Sequence, residues 1–166
     1  MKTSHSLLSL VVTALIVGGP AAVYAAETEE TVTMDKVPAK VHTTLATYAK
    51  DSEVTKIEKG DEDGTKVFEF DITQGTRSYE LAISKKGKYM GTEEDIQLTD
   101  MPDAVQTALK AQAGDGTLSG FEKATDKNQV VSYEADVTSK AGKKTEVTVD
   151  ATGKVTGTED ASADKD

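Results

Sequence analysis

Paired carboxylates are the feature of this sequence that most suggests chemistry. Glu69 and Asp71 stand two residues apart, as do Glu134 and Asp136, and Glu80 and Glu146 lie in the alternating segments that follow each pair. On a strand, residues i and i+2 share a face about 7 Å apart, so six carboxylates can crowd one side of a sheet. Such a face could bind Ca²⁺, which takes roughly 6–8 oxygens, attract a cationic partner, or imitate the acid/base pair of a glycosidase. The plainer reading is a solvated face on which Lys66, Arg77, Lys85 and Lys144 offset the acids by cross-strand pairing, and it is the favoured one. A catalytic pair needs unequal surroundings, with one carboxyl raised inside a pocket. The doubled pattern argues against unequal roles, so the chain is not expected to be an enzyme.

Other candidates carry less. Asp61-Glu62-Asp63-Gly64 resembles part of a calcium loop but lacks the spaced ligands and distal Glu of an EF-hand, and reads better as a hairpin turn. His42 has no second histidine beyond the leader, and Ser78 and Ser132 have no candidate base. Gly114-Asp115-Gly116 follows a helix where a phosphate-cradling loop would precede one. With no cysteine, thiol catalysis, a Cys-ligated zinc site and a disulfide scaffold are all excluded. The sequence assigns no catalytic residue, no metal ligand and no cofactor.

The elements that must position these residues come in two sets. Residues 1–25 are set aside first. Lys2 precedes the uncharged run Leu7–Val17, then Gly18-Gly19-Pro20 and the small-residue segment Val23-Tyr24-Ala25. This is the three-part pattern of a secretory signal peptide cleaved after Ala25, and the run is short of the ~20 residues a membrane span needs. Beyond a flexible linker over 26–34, the chain repeats itself. Val37-Pro38 through Leu45 matches Met101-Pro102 through Leu109 at an offset of 64, and Phe68–Ile72 matches Tyr133–Val137 at 65. Glu80–Ile83 matches Glu146–Val149 at 66, as do Gly87-Lys88 and Gly153-Lys154. Ordered blocks whose offset grows only between them indicate insertions at turns, which gives one repeat over 35–96, a second over 97–160 and an acidic tail over 161–166.

Each copy begins with a helix. Val37, Val41, Leu45 and Tyr48, and then Met101, Val105, Leu109 and Gln112, fall at helical spacing. Asp35 and Thr99 are cap candidates, with Pro38 and Pro102 in the first turn. About four strands follow. In them Phe68, Phe70, Ile72, Tyr79, Leu81 and Ile83 alternate with polar residues, and so do Tyr133, Ala135, Val137, Val147 and Val149. Tyr48 and Phe121 read as packing residues beside Phe68, Tyr79 and Tyr133. The expected fold is α+β: a largely antiparallel sheet of about eight strands with two helices packed on one face, the other face charged and bare.

This series, with Phe68-Glu69-Phe70-Asp71, Tyr79-Glu80-Leu81-Ala82-Ile83, Gly87-Lys88 and Glu93-Glu94-Asp95 in one copy and Gly153-Lys154 and Glu159-Asp160 closing the other, resembles the PepSY-like exported bacterial proteins. That group is similar in architecture to the secreted β-lactamase inhibitory protein. The resemblance implies a protein-binding or peptidase-restraining role outside the cytoplasm, with Asp61 or Asp63 offered to a partner's pocket from a hairpin. Glu69, Asp71, Glu80, Glu134, Asp136 and Glu146 would line the open face. The chain departs from the inhibitor in having no Trp, 5% aromatics and a single arginine, Arg77, whereas tight interfaces favour Trp, Tyr and Arg, so β-lactamase is not the expected target. A formal net charge of -10 repels nucleic acid and anionic lipid. The expected partner is an extracytoplasmic protein or peptide, with cation binding or sensing as the alternative.

Overall fold

A computed structural model describes residues 30–62 and 64–160. The expected signal peptide, the first residues of the expected linker, Asp63 and the acidic tail lie outside the described residues. Nine strands, each hydrogen-bonded to its neighbour in chain order, form an open sheet. The chain divides into two compact units between Thr92 and Glu93.

The first unit holds β1 (Glu30–Thr31), α1 (Ala39–Tyr48), β2 (Glu53–Glu62), β3 (Thr65–Gln74), β4 (Arg77–Ser84) and the start of β5 (Tyr89–Asp95). Its ladders β1·β2, β2·β3 and β3·β4 are antiparallel. Val41 and Leu45, one helical turn apart, are the buried residues of α1. They join Phe68, Phe70, Ile72, Tyr79, Leu81 and Ile83 in one core, so the expected alternation places these strand residues on the helix side. Tyr48 is the exception at 44% exposed. Its ring stacks on Tyr89 at 4.5 Å, and its carbonyl accepts a bond from the Tyr79 hydroxyl at 3.2 Å.

The second unit holds α2 (Asp103–Ala113), β6 (Thr117–Asp126), β7 (Val131–Thr138), β8 (Lys144–Asp150) and β9 (Val155–Glu159). The ladders β6·β7, β7·β8 and β8·β9 are antiparallel. Met101, Val105 and Leu109 meet Tyr133, Ala135, Val137, Val147 and Val149 in its core. Two aspartates shape its hairpins. Asp126 Oδ1 accepts the N–H groups of Asn128 and Val130 at 2.7 and 2.9 Å, and Asp150 Oδ1 accepts those of Thr152 and Lys154 at 2.8 and 3.1 Å. Each side chain thereby fixes a turn that its backbone alone would hold weakly.

The expected boundaries need three corrections. Among the described residues the strand count is nine, because Glu30 and Thr31, expected in a flexible linker, pair with Lys59 and Glu58. Val32 and Met34 pack against the core just beyond and draw the segment onto the edge of β2. The helices also start later than expected. Asp35 and Thr99 sit in short 3₁₀ turns, Met34–Lys36 and Leu98–Asp100, and the N-caps are Pro38 and Pro102 themselves, with ψ of 147° and 144°. Proline bars its predecessor from helical geometry, so Val37 and Met101 stay extended and the first turn cannot reach back past them. Gly114 does close α2, at φ 55°. The third correction concerns the side of the sheet away from the helix, and it bears on function.

Candidate functional site: carboxylate rows on the sheet

The side of each unit's sheet away from its helix was expected to be bare. Glu69 and Glu134 are instead only 5% exposed, and Val67, Ala82, Ser84, Ala124 and Thr148 are buried beside them. Strands β3 and β7 are interior, so a mid-strand residue has a cross-strand neighbour on each side about 5 Å away and same-strand neighbours two positions along. Glu69 has Glu58 and Ala82 across the ladders and Val67 and Asp71 along its strand. Glu134 has Glu122 and Thr148 across and Ser132 and Asp136 along, and together these neighbours exclude water. Alternation alone shows which side a residue faces, not how far its neighbours cover it.

In the first unit the register aligns two rows. One is Glu58, Glu69 and Ala82; the other is Lys56, Asp71 and Glu80. Lys56 Nζ lies 2.7 Å from Glu58 Oε2. Burial raises the Asp71 carboxyl above its ordinary range, Lys56 pulls it back and Glu58 adds to the rise. Asp61 stands apart, at the β2–β3 hairpin, where Lys66 is its ladder partner and its ion pair at 2.9 Å. The hydrogen bond from Lys66 holds the Asp61 carboxyl below the usual carboxylate range. The structure thus brings Glu69, Asp71 and Glu80 together and leaves Asp61 outside the rows.

The second unit has the same rows without the lysine. Glu122, Glu134, Thr148 and Gly157 form one, and Asp136, Glu146 and Glu159 the other. The residue two before Glu122 is Gly120, where Lys56 stands two before Glu58. Gly120 falls in a bulge between Ser119 and Glu122, at φ 57°, and a β-carbon there would come within 2.8 Å of Asp136 Oδ2. The glycine lets the Asp136 carboxyl lie against the backbone of β6. Burial first, then the charges of Glu146, Glu122 and Glu159, push the Glu134 carboxyl up to about 8, against a weaker opposing hydrogen bond with Thr148. Glu122 is pushed up to about 7 by burial and by Asp95, Glu146 and Asp136. Glu122 is the residue that the sequence reading missed. It has neither the i, i+2 acid of Glu69 and Glu134 nor the strictly alternating segment of Glu80 and Glu146, and the signal that could have found it is its place in the strand before the one that carries Glu134.

These rows suit some chemistries poorly. Among the described residues no group of three or more His, Cys, Asp or Glu is placed to hold a metal ion; the carboxylates are strung along ladders instead of converging on a point. Glu122 and Glu134 are both raised, so near neutrality the opposed pair holds protons that isolated glutamates would have lost. What the rows can do is repel one another, bind protons, or attract a positive group.

Lys56→Met should show what the lysine contributes. With Glu58 and Asp71 left without their positive neighbour, stability at pH 7 should fall by about 1 kcal/mol, the upper range for a partly exposed pair. The loss should shrink at pH 4 as the raised Asp71 carboxyl takes up its proton. Urea unfolding of both proteins at the two pH values measures it; an equal loss at both would assign the effect to packing of the lysine stem.

No family model matches the sequence, and no curated protein matches it either. Solved structures do. A DUF2874 family protein from Bacteroides uniformis is 13% identical, covers 77% of this chain and 92% of its own, and superposes with a TM-score of 0.65. A BLIP-like protein from Bacteroides fragilis is 16% identical, with 76% and 88% covered and a TM-score of 0.62. A third, from Bacteroides eggerthii and proposed to be periplasmic, is 16% identical, with 74% and 88% covered and a TM-score of 0.61. At these identities the likeness is one of fold, and the fold of this chain is BLIP-like.

Proposed function

We propose that this chain is an exported, non-catalytic binding module of two PepSY-like tandem repeats, and that its carboxylate-lined sheet face holds an extracytoplasmic protein or peptide through basic side chains. One observation carries the reading: the second unit packs Glu122, Glu134, Asp136, Glu146 and Glu159 into adjoining ladder rows, an arrangement whose unfavourable repulsion an arriving cation relieves. The leader-like segment through Ala25 and the proposed periplasmic site of one structural neighbour favour export. No helix among the described residues is long and apolar enough to cross a membrane.

Extended peptides with alternating lysines provide the test. Binding to immobilised protein at 50 mM salt should be lost at 500 mM, because screening weakens charge pairing, and Asp136→Asn/Glu146→Gln should weaken it about tenfold. Neutral peptides that bind equally well, or a variant that binds as the parent does, would remove the carboxylate rows from the mechanism. Millimolar CaCl₂ should leave the melting temperature unchanged. A clear rise abolished by Glu69→Gln/Asp136→Asn would favour cation sensing instead.

A further inference from the structure

Glu122 and Glu134 face each other directly across the β6·β7 ladder, a placement that disfavours two charges at once. The charged and titratable groups around them come from every neighbouring strand. Asp95 acts from β5, Asp136 from β7, Glu146 from β8 and Glu159 from β9. Lys144 is exposed at the end of the ladder, opposite Thr138, and Asp126 and Asp150 lie toward the hairpin ends of β6 and β8. The groups acting most on the central pair are thus all acidic. Beside the pair the ladder is already broken: the register shifts between Ser119 and Glu122, and Gly120 sits there in left-handed backbone. A bulge interrupts regular pairing, and a glycine adds conformational freedom at the same spot.

We propose that the second unit carries a proton-operated switch in which Glu122 and Glu134, opposed and enclosed by acidic neighbours, keep their protons in mild acid and, on losing them, force β6 away from β7 at the Gly120 bulge. The first unit has the same opposed pair, Glu58 and Glu69, but sets Lys56 against Glu58, so its ladder holds across the same pH range. The direction of the proton affinities agrees with the geometry: both carboxyls are raised, to about 7 and about 8, which places the transition near neutrality.

Amide hydrogen exchange at pH 5.5 and 8.5, corrected for the intrinsic pH dependence of exchange, reads the switch residue by residue in the full chain. Protection of the Phe121–Ala124 and Tyr133–Asp136 amides should fall about 100-fold between the two pH values, with β3 and β4 amides changing less than threefold. In Glu122→Gln/Glu134→Gln the β6 and β7 protection should stay level. Carboxyl carbon NMR of the unmodified protein serves as an independent measurement that needs no variant, and should show both glutamates titrating above pH 6. Protection that ignores pH, an equal fall in β3 and β4, an equal fall in the double variant, or carboxyls that titrate near 4.5 would each overturn the proposal.

Discussion

Gly153→Ala should lower the stability of the protein by about 3 kcal/mol, while Gly142→Ala, in the neighbouring hairpin, should cost only about 1 kcal/mol. Both glycines have left-handed backbone, at φ 89° and 83°, so a side chain at either adds a similar strain. They differ in what surrounds them. A β-carbon at Gly142 would meet nothing within 4 Å, whereas one at Gly153 would lie 2.7 Å from the Ala104 carbonyl oxygen and 3.2 Å from its β-carbon. Helix backbone cannot rotate aside as a flexible side chain can, so α2 or the β8–β9 hairpin has to shift. The first unit repeats the contact: a β-carbon at Gly87 would lie 2.7 Å from the Lys40 carbonyl oxygen, and Thr44 Oγ1 donates to the Gly87 carbonyl at 2.6 Å. Urea midpoints for the four proteins, wild type, Gly87→Ala, Gly142→Ala and Gly153→Ala, separate strain from overlap. Equal losses at 142 and 153 would show that the helix contact contributes nothing.

Glu134→Gln should act in the opposite direction, and only in one pH range. The unfolded Glu134 loses its proton near its ordinary value of 4.5, while the folded one keeps it up to about 8. Below 4.5 both states are protonated and the group has no net effect. Between 4.5 and 8 the folded state binds the extra proton, so stability falls as pH rises, and above 8 the full penalty is present. Gln presents a neutral side chain of the same shape at every pH. At pH 8.5 the variant should therefore be more stable than the parent by about 3 kcal/mol, with a melting temperature roughly 10 °C higher, and near pH 4 the two should coincide. Guanidinium unfolding from pH 4 to pH 9 checks this; a gain of the same size at pH 4 and pH 8.5 would mean that the substitution works through packing and not through charge.

The acidic limb of the same profile has a different origin. The Thr152 side chain and backbone N–H groups hold Asp150 below its usual range, and backbone N–H groups at Val130 and Asn128 lower Asp126 despite some burial. Folded values below the unfolded ones give stability that is present above about pH 4 and lost as pH falls through them. With the raised glutamates on the other limb, the wild-type optimum should lie near pH 5, and Glu134→Gln should broaden it upward only.

Much of this architecture was legible because it depends on period and punctuation. Phe68, Phe70, Ile72 and their counterparts declared a helix-facing side through strict alternation, and Val41, Leu45, Val105 and Leu109 declared the helix stripe that covers it. The recurring Gly-Lys pair was visible as a match at Gly87 and Gly153; its cause, a backbone passing too close to a helix for any β-carbon, was not, because it involves residues about 50 positions apart. The candidate site was less legible for the same reason. Glu69 and Glu134 looked exposed because alternation assigns a side without counting neighbours. Glu122 drew no attention because its opposition to Glu134 depends on register after a bulge, which one extra residue decides. Asp61 is expected at a hairpin from the turn residues around it, but its ion pair with Lys66 across that hairpin depends on strand register and could not be read from the turn alone.

The ammonium of Lys56 also makes the two units unequal toward any outside ligand. A basic group approaching Glu58 competes with a tethered counter-ion already 2.7 Å away and must displace it, so its gain is an exchange of one contact for another. On the second unit the newcomer competes instead with the protons that burial and acidic neighbours hold on Glu122 and Glu134. Affinity for that half should consequently be coupled to the acidity of its surroundings, and a chain with two similar faces would engage charged ligands chiefly through one of them.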